Sequence, residues 1–209
     1  MRITKQQAGE NRERVVAAAA RLFRERGFDG VAVADLMGAA GLTHGGFYNH
    51  FGSKDELGAA ACAHALSQSV AAIEAVADAK PGRKDVSLGD YRRRYLSRKS
   101  RDAKGFRCPM VAFGADVSRQ SAAFQEQYAD GLRRYLDGFV RALSAELGEG
   151  RADEGVRAQA IAQFSTMVGA VVLARGVAAA DPPLSDEILA DALASLERET
   201  AAEAGSREV

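Results

Sequence analysis

Residues 33–57 read VADLMGAAGLTHGGFYNHFGSKDEL. Apolar residues recur here at helical spacing, and the breaks lie close together. Val33 to Ala40 fits one short helix, ended by Gly41. Thr43 to Phe51 fits a second, with Thr43 as its cap and Phe47 and Phe51 one turn apart on its buried side. Only Gly41-Leu42 separates the two. This is the helix-turn-helix layout, in which the second helix enters the major groove of DNA. Ser53-Lys54-Asp55-Glu56 then forms a capping box and opens a long helix that can run to about Ala79, before Pro81-Gly82.

Helices continue on both sides of this stretch. Upstream, Asn11 to Arg26 fits a helix with Asn11 as cap, Val15, Ala19, Leu22 and Phe23 as its stripe, and Gly27 as its stop. Downstream, a fifth helix starts at Leu88 and carries Tyr91 and Tyr95 on one face. Cys108-Pro109 opens a sixth, since proline suits a first helical turn. Phe124, Tyr128, Leu132, Tyr135, Leu136, Phe139, Leu143 and Leu147 stripe a seventh. The eighth spans about Asp153 to Ala178, and the last holds Ile188, Leu189, Leu193 and Leu196 beyond Asp181-Pro182-Pro183. About nine helices with few strand patterns make an all-α fold.

Composition excludes several classes. The chain has 209 residues, 47% hydrophobic and 27% charged, as a globular protein does and a disordered one does not. The first residues hold no signal-peptide core, and no uncharged apolar run approaches the roughly 18 residues of a membrane helix. The expectation is a cytoplasmic protein with no membrane association. Two cysteines, Cys62 and Cys108, make no disulfide framework. Only three histidines occur, and nucleophile-elbow, phosphate-loop and zinc-protease motifs are missing. No catalytic residue, metal site or cofactor is expected, so the chain is not read as an enzyme.

Charge is balanced overall, 28 basic against 28 acidic residues, but not locally. Residues 1–27 hold seven bases and three acids; 83–107 hold ten bases and three acids; 181–209 hold two bases and eight acids. A neutral chain with basic segments can bind a polyanion locally. The basic segment 83–107 reads as a solvated face, or as a partner for an acidic ligand or for the acidic C-terminal region.

The spacing Phe28-x-Gly30, Val33-x-x-Leu36-x-x-x-Ala40-Gly41-Leu42-Thr43-x-Gly45-x-x-Tyr48-x-His50-Phe51-x-x-Lys54-x-x-Leu57 resembles the N-terminal domain of the tetracycline-repressor (TetR) family of bacterial transcriptional regulators. The resemblance covers about Asn11 to Ala60. It implies a helix-turn-helix DNA-binding domain over 10–60 and a ligand-binding and dimerisation bundle over 61–200. It also implies a homodimer paired through its last two long helices, a palindromic double-stranded DNA operator and, most often, repression relieved by a small-molecule inducer.

The DNA-facing residues are then Thr43, His44, Gly45, Gly46, Tyr48, Asn49, His50 and Lys54. Asn49 can read a base edge with its paired donor and acceptor. Tyr48 and His50 resemble the family's phosphate contacts, and Lys54 stands at the first turn of the next helix, where a phosphate is favoured. Arg12 and Arg14 either touch phosphates or are solvated. Two departures stand out. Ala32 replaces the family's usual Ser or Thr cap, and Gly45-Gly46 opens the reading helix at a cost of about 1 kcal/mol each relative to alanine.

The bundle is expected to hold an apolar or aromatic ligand among Tyr91, Tyr95, Cys108, Met110, Phe113, Phe124, Tyr128, Phe164 and Met167, each of which is otherwise core. Cys108, after Arg107 and near Lys104 at a helix start, also resembles the cysteine of members that sense electrophiles or oxidants. Two further readings stay open: an electrophile- or redox-responsive repressor of the same fold, and a helical adaptor that binds no DNA.

Overall fold

The computed structural model describes residues 4–79, 87–103, 108–148 and 154–205. These form α1 (Lys5–Arg26), α2 (Val33–Ala39), a 3-10 helix η1 (His44–Asn49), α3 (Lys54–Ala77), α4 (Leu88–Tyr95), α5 (Arg98–Asp102), α6 (Pro109–Phe113), a 3-10 turn η2 (Val117–Arg119), α7 (Ala122–Glu146), α8 (Glu154–Val177) and α9 (Pro182–Gly205). No strand occurs among the described residues. The all-α expectation holds. α5 and η2 were not expected from the sequence.

Two starts differ from the sequence reading, and a third differs in one capping bond. α1 begins six residues early, because Thr4 caps it by accepting the Gln7 N–H at 3.2 Å. Asn11 lies inside the helix instead, buried, and accepts from Arg14 at 3.2 Å. The second helix of the pair is a short 3-10 helix rather than an α-helix through Phe51, and Thr43 makes no side-chain cap bond. Two successive glycines near its start give little support to an α-helical nucleus. At α3, Ser53 caps Glu56 N–H as expected, while the Glu56 carboxylate reaches one residue further back, to Gly52 N–H at 2.8 Å.

The described residues divide into two compact units. One comprises those of 1–69 and 104–132; the other those of 70–103 and 133–209. The boundaries fall inside α3 and α7.

In the first unit, α1 packs on α2 and α6, and α2 packs on η1. Val15, Ala19, Leu22 and Phe23 are buried, as their spacing requires. A run of rings extends this core: Phe23 to Phe28 at 4.9 Å, Phe28 to Phe124 at 6.0 Å, and Phe124 to Phe113 at 5.6 Å. Gly58 makes room for the run, since a Cβ there would lie 2.4 Å from Phe28 Cε2. In the second unit, α8 and α9 make the most extensive pairing. Tyr91, Tyr95, Tyr135, Phe139, Phe164 and Met167 fill its core. By length and composition alone, α3 and α8 could cross a membrane. Both also supply buried core residues.

Candidate functional site

Phe47 and Phe51 anchor η1. Each is 1% exposed, and their rings lie 5.8 Å apart. With that face fixed inward, the neighbours must turn out. Thr43, His44, Gly45, Tyr48 and Asn49 are exposed, and Gly46 and His50 half-exposed. Tyr48 is 74% exposed, its ring edge-on to Phe47 at 5.2 Å. The chain therefore presents a hydroxyl, an amide and two imidazoles along one short element, on a fixed base.

The two glycines shape that face. In a 3-10 helix residues three apart stand in line. Gly45 is in line with Tyr48 and Gly46 with Asn49, so both rows begin without a side chain. The chain's own packing does not require this. Neither glycine has positive φ. A Cβ on Gly45 would meet nothing, and one on Gly46 would make ordinary contacts with Met37 Cε (3.7 Å) and Thr43 Oγ1 (3.8 Å). Gly41 is different. Its φ is +70°, and a Cβ there would lie 2.9 Å from Arg14 Nη2, so the turn itself needs glycine.

Three cations are committed within the first unit. Lys54 Nζ donates to the Phe28 carbonyl at 2.8 Å and lies 4.6 Å from the centroid of the Phe28 ring. Arg14 donates to the Ala40 carbonyl, closing the end of α2. Arg12 lies 4.7 Å over the Phe51 ring and 3.6 Å from Glu56. At Ala32 no side-chain cap exists, but the Asp35 carboxylate accepts the Ala32 N–H at 3.1 Å. Half of a capping box survives.

The nine residues expected to line a ligand cavity are divided. Cys108, Met110, Phe113, Phe124 and Tyr128 belong to the first unit; Tyr91, Tyr95, Phe164 and Met167 to the second. Met110, Phe113, Phe124, Phe164 and Met167 are at most 4% exposed, as core residues are. An open cleft of about 530 Å³ lies elsewhere, lined by Arg14, Ala17, Ala18, Arg21 and residues 38–41. Cys108 is half-buried and precedes α6 without a side-chain cap bond, and Pro109 takes the first position as expected. The neighbouring residues 104–107 lie outside the described residues. Cys108 lies near the buried Arg24 guanidinium, whose pKa falls through burial while the nearby Cys108 and Glu25 oppose the fall. Burial pushes the Cys62 thiol up to about 12 and the Tyr128 hydroxyl also to about 12.

The sequence reading missed a polar cluster in the second unit, in which the buried Arg92 donates to Glu146 and to Gln163, each at 2.7 Å. Gln163 was legible. Ala160, Gln163, Phe164 and Met167 follow the spacing of a buried stripe. Arg92, inside a run of three arginines, carried no such signal.

Comparison with known proteins places these features. Residues 15–61 match the profile of the bacterial regulatory proteins of the tetR family. An uncharacterized HTH-type transcriptional regulator of Mycobacterium tuberculosis (strain ATCC 25618 / H37Rv) is 30% identical over 169 residues, 78% of this chain and 84% of that protein. The HTH-type transcriptional regulator TtgR of Pseudomonas putida is 42% identical over 57 residues, 27% of each chain. Among solved structures, a TetR regulator from Chloroflexus aurantiacus superposes with TM-score 0.71 at 25% identity, over 91% of this chain and 94% of that one. The reduced form of E. coli NemR gives TM-score 0.73 at 22% identity, over 90% and 96%, a likeness of fold. The relative matched along most of its length, and the profile lying on the helix-turn-helix, identify the chain as a member of the tetR family of bacterial regulatory proteins, a DNA-binding transcriptional regulator.

Proposed function

We propose that this regulator is a homodimeric repressor that holds a palindromic operator and releases it when a small apolar or aromatic molecule binds its C-terminal bundle. The exposed row on η1, backed by buried Phe47 and Phe51, carries the reading. Thr43, His44, Tyr48, Asn49 and His50 face the DNA. Asn49 reads a base edge, and Tyr48 and His50 hold phosphates. Gly45 and Gly46 let the backbone come close. Lys54 we assign to the tie between the start of α3 and the loop joining α1 to α2, given its bonds to Phe28. Residues 10–60 serve DNA and 61–200 serve ligand and dimer. The protein works in the cytoplasm, where its operator is.

Dimerisation through α8 and α9 fits the exposed apolar surface. Ile161 and Val172, eleven residues apart, share a face of α8, and Leu173 and Leu184 are also exposed. A Cβ on Gly169 or Gly176 would meet nothing within 4 Å, so a partner helix can approach there. The twofold axis would set the two reading elements roughly 34–36 Å apart, one turn of DNA. Inducer binding then favours a spacing that misfits the operator, by as much as its affinities for the two states differ.

The test is binding to the chain's own upstream region at two salt concentrations, and to a selected random-site pool. Specific binding that weakens with salt and is lost in Tyr48→Ala and Asn49→Ala supports the reading. A dimeric protein that binds neither target at low salt refutes it and leaves the helical adaptor. A second reading has one observation in its favour. Cys108 is half-buried at the start of α6, within electrostatic reach of the Arg24 guanidinium. In that case operator release follows alkylation of Cys108, and Cys108→Ser abolishes it.

A further inference from the structure

Arg92 is 2% exposed and Gln163 1%, a full charge and an amide in the core of the second unit. One Nη of Arg92 donates to Glu146 Oε2 at 2.7 Å, and the other to Gln163 Oε1 at 2.7 Å. These bonds leave two atoms over. Arg92 Nε and Gln163 Nε2 are both shut off from water and have no hydrogen-bond partner. Both are donors, so the missing partner is an acceptor. Stability does not account for the arrangement. A buried donor left unmade is costly, and apolar residues would hold the same helices together at no loss.

The surroundings narrow the partner further. Tyr91 and Tyr95 flank Arg92 on α4, and Phe164 follows Gln163 on α8. The Phe164 ring lies 4.5 Å from Tyr135 and 6.4 Å from Tyr95, and the Tyr91 and Tyr135 hydroxyls meet at 2.8 Å. Rings of this kind suit a flat apolar body. Charge decides the rest. Glu146 already balances Arg92, and among the described residues of this unit no other cation is fully buried. A carboxylate here would bury an uncompensated negative charge, whereas a neutral carbonyl oxygen would not.

We propose that Arg92 and Gln163 form a buried anchor for the carbonyl oxygen of a neutral, flat aromatic ligand, of the ketone or quinone class. This deepens the inducer reading above and rests on it. Arg92 Nε and Gln163 Nε2 donate to the oxygen, Glu146 holds the guanidinium in place, and the tyrosine and phenylalanine rings take the body.

The probes are 9-fluorenone and fluorene, alike in shape, with only the first carrying an acceptor. Equilibrium dialysis of the full dimeric chain should show fluorenone held at least tenfold more tightly than fluorene, and fluorene-9-carboxylate no better than fluorene. Gln163→Glu keeps the oxygen that faces Arg92 but replaces the donor with an acceptor. It should bring the fluorenone preference close to one and leave fluorene unchanged. Arg92→Lys, which removes Nε–H and keeps the charge, should do the same; a thermal melt of each variant confirms the fold. A wild-type ratio near one, including no uptake of either probe, overturns the anchor. So does a preference that survives in a folded variant, or a carboxylate held as tightly as the ketone. Operator binding is measured in parallel. An operator bound but released equally by both probes keeps the regulator and removes the anchor; an operator never bound removes the regulator while the dialysis still decides the anchor.

Discussion

Lys54→Met separates two roles that one residue can have in this family's register. Met keeps most of the apolar stem and loses the ammonium. The structure gives the ammonium a 2.8 Å bond to the Phe28 carbonyl and a place 4.6 Å from the Phe28 ring centroid, with Phe23 further off at 6.0 Å. A hydrogen bond from a charged donor contributes about 1.5–3 kcal/mol and a cation over a ring about 0.5–1 kcal/mol. Release of an ordered lysine side chain returns about 1–2 kcal/mol. The net loss is about 2 kcal/mol, which for a chain of this length lowers Tm by about 4–8 °C. Melts are run at one protein concentration, since a dimer's Tm depends on it. DNA binding is then followed against salt, well below the melt. A phosphate contact contributes about 0.9 to the salt slope, so two protomers each losing one would flatten it by about 1.8. A clamp leaves the slope alone. An unchanged Tm with a flattened slope would refute the clamp and return Lys54 to the DNA.

Three other perturbations follow from the same geometry. Ala32→Ser supplies the missing cap oxygen of α2 beside the surviving Asp35 half of the box; it should stabilise by about 1 kcal/mol in urea unfolding, and a loss of stability would show that the α2 start has no room for it. Gly46→Ala adds a methyl that the free chain accepts at 3.7 Å from Met37. The fold should melt no lower, while operator affinity drops at least tenfold; equal affinity would mean that close backbone approach is not what the glycine serves. With Cys62 fully buried and its thiol pushed up to about 12, iodoacetamide at pH 8 should modify Cys108 in the native protein and Cys62 only after unfolding. Peptide mapping that finds both labelled at similar rates would contradict this.

Much of the fold was legible because local rules and packing agree. The stripe on α1, the Ser53 cap, Pro109 at the head of α6 and the glycine turn at Gly41 each stand where their spacing puts them. What was not legible depends on distant partners. Asn11 looks like a cap by type, but Thr4 lies about two turns upstream and does the work, and Asn11 serves Arg14. Lys54 looks like a phosphate ligand from its place at a helix start, and only the fold brings the Phe28 carbonyl to it. Arg92 reads as one charge among several on a solvated face. Its burial follows from the neighbouring Tyr91 and Tyr95, which fix the inner side of α4. η1 departs from the α-helical reading because two glycines leave so short an element with little propensity of its own.

The sequence of the basic segment 83–107 allows solvent, an acidic ligand or the acidic C-terminal region as its partner, and its described part meets the acidic helix α9 of the same chain. Arg93 pairs with Glu197, Arg98 with Asp186, and Arg101 with Asp186 and the Ser185 hydroxyl. These contacts differ in weight. Arg93 and Arg98 are exposed, so their pairs are screened and contribute little. Arg101 is only 10% exposed and donates to Ser185, Asp186 and Asp102. Arg175 of α8 meanwhile donates to the Ser100 and Arg101 carbonyls, which a helix as short as α5 cannot satisfy by itself. Arg101→Met should therefore destabilise at neutral pH by about 2 kcal/mol, the scale of a hydrogen-bonded charge, where Arg98→Met changes little. The pH dependence fixes the sign. The bond from Arg101 holds the Asp102 carboxyl below its ordinary 3.8. A depressed carboxyl contributes above its unfolded pKa and loses that contribution as pH falls through the folded one. The gap between wild type and Arg101→Met should thus be level from pH 7 to 5 and narrow below 3.8, leaving the uncharged Ser185 bond. A gap of the same size at pH 3 as at pH 7 would show that Arg101 acts through packing and not through its acidic partners.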